Sequence, residues 1–371
     1  MTKISRIEIF KANIPFKGPF RHAAKSRSDS ESIFVKVSLD NGIAGFGESL
    51  PRSYVTGNTQ DSVFKELCAY SPRLIGTVLD GSTGSVEFIK GLEGIELEAR
   101  CALELALLDA LGKASSRPVS HFLGEVVNKN LVYSMVVSGE SGLKTAAVCL
   151  FAGASGYKFI KVKVGSGDDE ARVSLCRRML PGADIRIDAN GAWDTMTALS
   201  MIKRLRKFNI SCIEQPTQKG VTEAMQEVAD YCPEPVMADE SLCTKEDALM
   251  FANTRACDMF NVRLSKNGGI FRSLEIIKIA RDNGLGYQIG CLVGETGILS
   301  AAARQVACVA NGISYLEGSY SRFLLKEDAV AEDLTPRRSI GYALEGPGLG
   351  VTVREGVIRK YSGESSVIGQ P

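Results

Sequence analysis

Five polar residues recur along this chain at almost one interval, each at the end of a short apolar run. They are Lys163 in FIKVKVG, Asp188 in IRIDAN, Glu214 in CIEQP, Asp239 in VMADES and Lys266 in NVRLSKNGG, separated by 25, 26, 25 and 27 residues. Such an interval fits one short strand, one helix and two tight connections. A chain that repeats this unit and ends each strand on a polar side chain assembles a site from successive strand ends.

The surrounding texture agrees. From about residue 130, apolar β-branched runs alternate with amphipathic stretches. The strand candidates are LVYSMVV (131–137), FIKVKV (159–164), DIRIDA (184–189), SCIEQ (211–215), PVMADE (235–240), MFNVRL (259–264), YQIGCLV (287–293) and ISYLEG (313–318), with seven helical stretches between them. Parallel strands buried on both faces read as continuous apolar runs. Eight of them at this repeat specify an α/β fold, a (β/α)7β TIM-type barrel, because SYSRFLLKEDAVAEDLTPRRS after the last strand is not a clean helix. The opening stretch reads otherwise: RIEIFKANIPF, SIFVKVSLDNG and IAGFGESL are strand-like, with a hairpin turn at DNG. A helical region follows from about Asp61 to Gly112. The expected organisation is an N-terminal α+β capping domain over 1–128, a barrel over 129–340, and a segment 341–371 that returns to the cap.

Composition narrows the function. A formal net charge of +1, with no basic tail, argues against nucleic acid or a membrane surface as partner. No apolar run approaches the roughly 20 residues that span a bilayer, and MTKISRIEIFKANIPF alternates like a strand instead of forming a signal-peptide core. The ten cysteines form no C-x-x-C pair, and His22 and His121 are the only histidines. Zinc spacing is therefore absent, and the cysteines read as small buried hydrophobes of a cytoplasmic chain.

In such a barrel the strand ends carry the chemistry. Asp188, Glu214 and Asp239 end the third, fourth and fifth strands, so they are neighbours at the mouth. One such acid alone would read as a rim carboxylate paired with Lys or Arg. Three in register repel one another unless a hard divalent cation neutralises them, Mg2+ in the first place and Mn2+ as the alternative. Lys161 and Lys163 are two apart and share one strand face, which is the barrel mouth because lysine is costly in the helix layer. Lys266 follows the sixth strand, across the acids from them. A metal with opposed lysines suits abstraction of a proton α to a carboxylate, with one lysine as base.

The combined K-x-K, D-A-N, E-Q-P, A-D-E-S and K-x-G-G pattern resembles the enolase superfamily, in its muconate-lactonizing-enzyme subgroup, over essentially the whole chain. That superfamily is a known example of a Lys or His base working with Mg2+ on an ene-diolate. The resemblance implies an enzyme in which Lys163 is the general base, Lys161 its helper at the substrate carboxylate, and Lys266 the acid/base on the opposite face. It implies Asp188, Glu214 and Asp239 as metal ligands, with Asn190 and Glu240 behind them. A barrel histidine base of the mandelate-racemase type is disfavoured, since neither histidine lies in the barrel segment. The first implied reaction is 1,1-proton transfer, an epimerase or racemase of a dipeptide or N-acyl amino acid. A cycloisomerase of the muconate-lactonizing type and an o-succinylbenzoate-synthase-like dehydratase are the alternatives. A barrel that binds ligand without turnover would be marked by loss of a metal ligand or lysine, and none is lost.

The partner is a small-molecule carboxylate, and a homo-oligomer is the assembly the resemblance suggests. Two capping loops, 15–32 and 51–59, offer Arg21, His22, Arg52 and Tyr54 as substrate contacts. From the barrel come Cys291, Glu295, Glu317 and Ser319. Dipeptide epimerases of this subgroup carry D-x-D at the eighth strand to grip an ammonium. This chain has Glu317-Gly318-Ser319 there, and its seventh-strand acid is shifted by one residue to Glu295. Tyr320, Phe323 and Leu316 give the eighth-strand loop an apolar character that favours an acyl or aromatic substituent.

Overall fold

Each apolar run supplies one strand of a single parallel sheet in the computed structural model, which describes residues 2–21, 26–138 and 141–369; of the first run only Met135–Val137 joins it, and Asn130–Val132 pairs instead with Ile340–Tyr342. The strands are Met135–Val137, Phe159–Lys163, Asp184–Asp188, Ile210–Glu214, Val236–Ala238, Met259–Val262, Gly286–Ile289 and Tyr315–Leu316, paired strictly in chain order. The sheet curls until the backbone N–H of Ser134 donates to the carbonyl of Leu316 at 2.8 Å, joining its two ends. Seven helices, from Gly142–Ala154 to Gly297–Val309, alternate with the strands, and the eighth strand is followed by the short helix Ser321–Leu324 where a full-length helix would close the unit. The chain is thus a TIM-type barrel of the expected (β/α)7β kind with a capping domain.

The barrel interior is layered by the two-residue period of its strands. Cys212, Met237, Met259 and Tyr315, with Phe159 against them, form an apolar floor. Two residues further along the same strands, the interior turns polar with Lys161, Glu214, Asp239, Asn261 and Glu317, all buried. The site therefore stands on a packed floor and inside rigid strands.

The cap is an antiparallel sheet in the order Ser362–Gly369, Ile4–Ala12, Ser32–Leu39, Ala44–Ser49. The expected helical region resolves into three α-helices, Gln60–Tyr70, Thr83–Lys90 and Leu97–Ala114. The last lies directly on strand Ala44–Ser49: a Cβ at Gly47 would sit 1.9 Å from the carbonyl oxygen of Ala102, so only glycine permits this approach. The same helix braces the barrel. Arg100 donates to the carbonyl of Gly268 at 2.7 Å, and the Glu104 carboxylate accepts the N–H groups of Ile270 and Phe271 at the start of helix Ile270–Asp282. The turn carrying Lys266 is held from the cap by these bonds. Among the described residues, no helix is long and apolar enough to cross a membrane.

Candidate active site

Strand register sets the site. Lys161 pairs with Arg186 and Lys163 with Asp188 across the second and third strands, and Glu214 pairs with Asp188 across the next. The Lys163 ammonium donates to Asp188 Oδ2 at 2.6 Å and to Asn190 Oδ1 at 2.7 Å. Asn190 adopts φ 47°, a left-handed turn that asparagine tolerates, and its amide donates to Glu240 at 2.9 Å. Gln215 ties the fourth strand to the fifth: its Oε1 accepts the Asp239 N–H at 2.9 Å, and its amide donates to Ser241 Oγ at 2.8 Å.

The carboxylates and cations alternate. Lys161 lies 2.7 Å from Glu317 and 3.3 Å from both Asp188 and Glu214. Arg263 bridges Glu214, at 3.2 Å, and Asp239. Arg186 pairs with Glu317 and lies 4.3 Å above the Tyr315 ring. Asn261 and Gln288 donate to the two oxygens of Glu214. Burial works to lower the Lys161 ammonium, but Glu214, Glu317 and Asp188 together outweigh it and raise it. Burial and the charge of Asp188 push the Glu214 carboxyl up to about 7. Asp188 is held far below the usual carboxylate range because Lys163 and Lys161 outweigh its burial. Glu317, likewise buried, is brought down to about 2 by Lys161 and Arg186.

Two points concern the expected metal ligands and Lys266. Among the described residues, no group of three or more His, Cys, Asp or Glu is arranged to hold one metal ion. The reason is the interleaving: Lys161 stands between Asp188 and Glu214, and Arg263 between Glu214 and Asp239. The donor set nonetheless fits a hard divalent cation. Both carboxylate oxygens of Asp239 are buried and accept no hydrogen bond, although Arg263 and Lys266 are within ion-pair reach. Asp188 also raises the proton affinity of Glu214 and Asp239, and Asp239 raises that of Glu214. Buried acceptors lacking donors, in mutual repulsion, are what such an ion satisfies. Second, Lys266 does not line the cavity opposite Lys163. It is 1 % exposed, and its ammonium donates to the carbonyls of Asp239, Leu242 and Asn261. A buried ammonium takes every acceptor in reach, and here the turn after the fifth strand supplies two carbonyls and the sixth strand one. Burial lowers its proton affinity, against the pull of Asp239.

A cavity of about 500 Å³ opens over these groups. Lys161, Lys163, Asn190 and Glu240 line one side, and Cys291, Glu295, Glu317 and Ser319 another. Tyr54 reaches it from the cap. The Arg21 side chain and His22 lie outside the described residues. Arg52 is not a cavity residue: it is buried and donates to the carbonyls of Pro51, Ser30 and Val293, stapling both capping loops to the seventh-strand loop. Leu316 is also absent from the lining, because it faces the strand–helix core. Arg186, Arg263, Asn261 and Gln288 were not singled out from the sequence. The two-residue period marks Arg186, Asn261 and Arg263, since each lies on the strand face of Asp188 or of the floor residue Met259; Gln288 has no such neighbour on the seventh strand and carried no signal.

A capped TIM-type barrel with acids and lysines on consecutive strand ends defines a class of acid–base barrel enzymes. Residues 145–357 match the Enolase C-terminal domain-like family, and residues 4–124 match the Mandelate racemase / muconate lactonizing enzyme, N-terminal domain. The chain belongs to the enolase superfamily, in its muconate-lactonizing-enzyme subgroup. It is similar to the L-Ala-D/L-Glu epimerase of Bacillus subtilis, 30% identical over 94% of this chain and 96% of that one. It is 29% identical to Muconate cycloisomerase 1 of Rhodococcus opacus, over 98% and 100%. The crystal structure of Dipeptide Epimerase from Cytophaga hutchinsonii, complexed with Mg and the dipeptide D-Ala-L-Val, superposes with a TM-score of 0.87 at 28% identity, covering 99% of this chain and 100% of that one. The chain is an isomerase of that superfamily.

Proposed function

We propose that this enzyme moves a proton at the carbon α to a substrate carboxylate, by 1,1-proton transfer on a dipeptide or N-acyl amino acid. The observation that carries the reading is Lys163, whose ammonium faces the cavity while Asp188 and Asn190 hold it at 2.6 and 2.7 Å. A base must be fixed within reach of the proton it takes; these two acceptors fix the Lys163 nitrogen, which takes the α-proton as the neutral amine and becomes the ammonium. Lys161, held at the level of the acids, supplies a positive charge to the substrate carboxylate. Asp188, Glu214 and Asp239 would hold Mg2+, with Asn190 and Glu240 steadying the third and fifth strand ends. Bound there, the ion would offset the negative charge that gathers on the carboxylate as the proton leaves. Taking it up requires Lys161 and Arg263 to draw back from between the acids. The epimerase relatives support this reading, and the Mg complex of one structural neighbour supports the metal.

A second reading has its own observation. Lys266 is engaged by three carbonyls, which suits a one-base reaction such as cycloisomerisation or dehydration. Epimerisation needs Lys266 to leave at least one carbonyl and return a proton on the opposite face. The Lys266→Ala variant separates the two. Loss of racemised product with retained α-deuterium exchange from D2O on one enantiomer supports two-base epimerisation. Undiminished turnover in that variant overturns it in favour of one-base chemistry.

A further inference from the structure

We infer that the substrate carries no free ammonium beside its reacting carbon, but an uncharged apolar acyl group, best an aromatic one; this rests on the proton-transfer reading above. The cavity has a second half that the reacting groups do not use. Met135, Val148 and Phe151 from the first strand and its helix face Tyr320, Phe323 and Leu324 after the eighth strand. Phe151 and Phe323 meet edge-to-face with centroids 5.9 Å apart, yet they are 45% and 52% exposed. Two large aromatic rings left open at a cavity mouth are a surface awaiting an apolar partner. The Tyr320 ring, which also lines the cavity, is held by its hydroxyl, which donates to the Ser134 carbonyl at 2.6 Å.

Position and charge give the rest. The first and eighth strands lie across the barrel from the fourth and fifth, which carry Glu214 and Asp239. A carboxylate held on the acid side, with its α-carbon at Lys163, sends its substituent into this apolar half. An ammonium there would need a carboxylate free to pair with it. Glu317 is taken, one oxygen by Arg186 and the other by Lys161. Glu295 has no cation within 4 Å among the described ion pairs, but burial keeps its carboxyl protonated up to about 8. Glu240 stands on the opposite side, at the fifth strand end. Ser319 contributes only a hydroxyl, already bonded by Arg304 at 3.3 Å.

A matched pair tests this: 3-phenylpropanoyl-alanine and phenylalanyl-alanine differ only by the ammonium, and N-acetyl-alanine serves as the small acyl control. Equilibrium binding by calorimetry and α-deuterium exchange by NMR are both measured with Mg2+ in D2O. The acyl compound is expected to bind and exchange about tenfold or more better than the dipeptide. In Phe323→Ala its advantage over N-acetyl-alanine shrinks. Equal or stronger binding of the dipeptide overturns the inference. Tight acyl binding without exchange on any compound leaves the substrate class standing and removes the proton-transfer reading instead.

Discussion

Lys163 and Asp188 face each other in register across the second and third barrel strands, with Nζ and Oδ2 2.6 Å apart. Asp188 thus serves two partners: it orients the proposed base and is one of the three proposed metal ligands. The arrangement couples ion binding to the position of the lysine, because a cation on Asp188 competes for the oxygen that Lys163 holds.

Mg2+ binding should register as stability. At about a hundred times its dissociation constant a ligand adds ~2.7 kcal/mol to the native state. Thermal melts of the wild type are expected to rise on adding Mg2+ after chelation. Asp239→Asn removes one proposed ligand and should lose most of that rise. An unchanged metal response in the variant would show that Asp239 holds no ion.

Arg186 neutralises Glu317 deep in the barrel, with both side chains almost fully buried. Arg186→Met leaves the acid with Lys161 alone and should cost about 3 kcal/mol in urea unfolding. The double variant Arg186→Met/Glu317→Gln should recover part of the loss. Additive losses would mean that the two residues do not act as a pair.

Glu295 gives a pH dependence whose sign is fixed. Burial, reinforced by the charge of Glu48 and opposed by the Leu292 N–H, raises its carboxyl from 4.5 to about 8. The unfolded chain releases this proton near 4.5, while the folded one keeps it to about 8. The stability it contributes is therefore complete below 4.5 and lost as pH rises through 8. Relative to Glu295→Gln, the wild type should lose on the order of 3 kcal/mol between pH 4.5 and pH 9. A difference that does not change with pH would place the group in its ordinary range.

Arg52 joins three backbone carbonyls from two capping loops and the seventh-strand loop. Arg52→Ala should cost about 2 kcal/mol and raise KM more than it lowers kcat, since the loops close the cavity without touching the reacting atoms. Limited proteolysis should then cut the 51–59 loop sooner. Unaltered cleavage and KM would contradict the stapling role.

The barrel was legible because each βα unit repeats one length and each strand ends on a side chain that has to face the mouth. Asp188, Glu214, Asp239, Lys161 and Lys163 come together for that reason. Lys266 was harder: it lies in a turn, where no two-residue period fixes a direction, and the carbonyls that capture it come from two other segments, the turn after the fifth strand and the sixth strand. Arg263 and Arg186 belong to the polar interior layer and follow from counting two residues along their strands from Asn261 and Asp188. Arg52 resembled a substrate contact because both a staple and a binding arginine sit in a capping loop. Only the packing of Ser30 and Val293 around it decides between them.

The most direct test of the account is solvent exchange at Lys163. Wild type and Lys163→Ala are incubated in D2O with Mg2+ and 3-phenylpropanoyl-alanine, and α-deuterium is followed by NMR while melts confirm folding and metal response. The account predicts exchange in the wild type and, on the enantiomer that Lys266→Ala still exchanges, a drop of about 10²–10⁴-fold in the variant. A folded, metal-responsive Lys163→Ala that exchanges as fast as the wild type would contradict it.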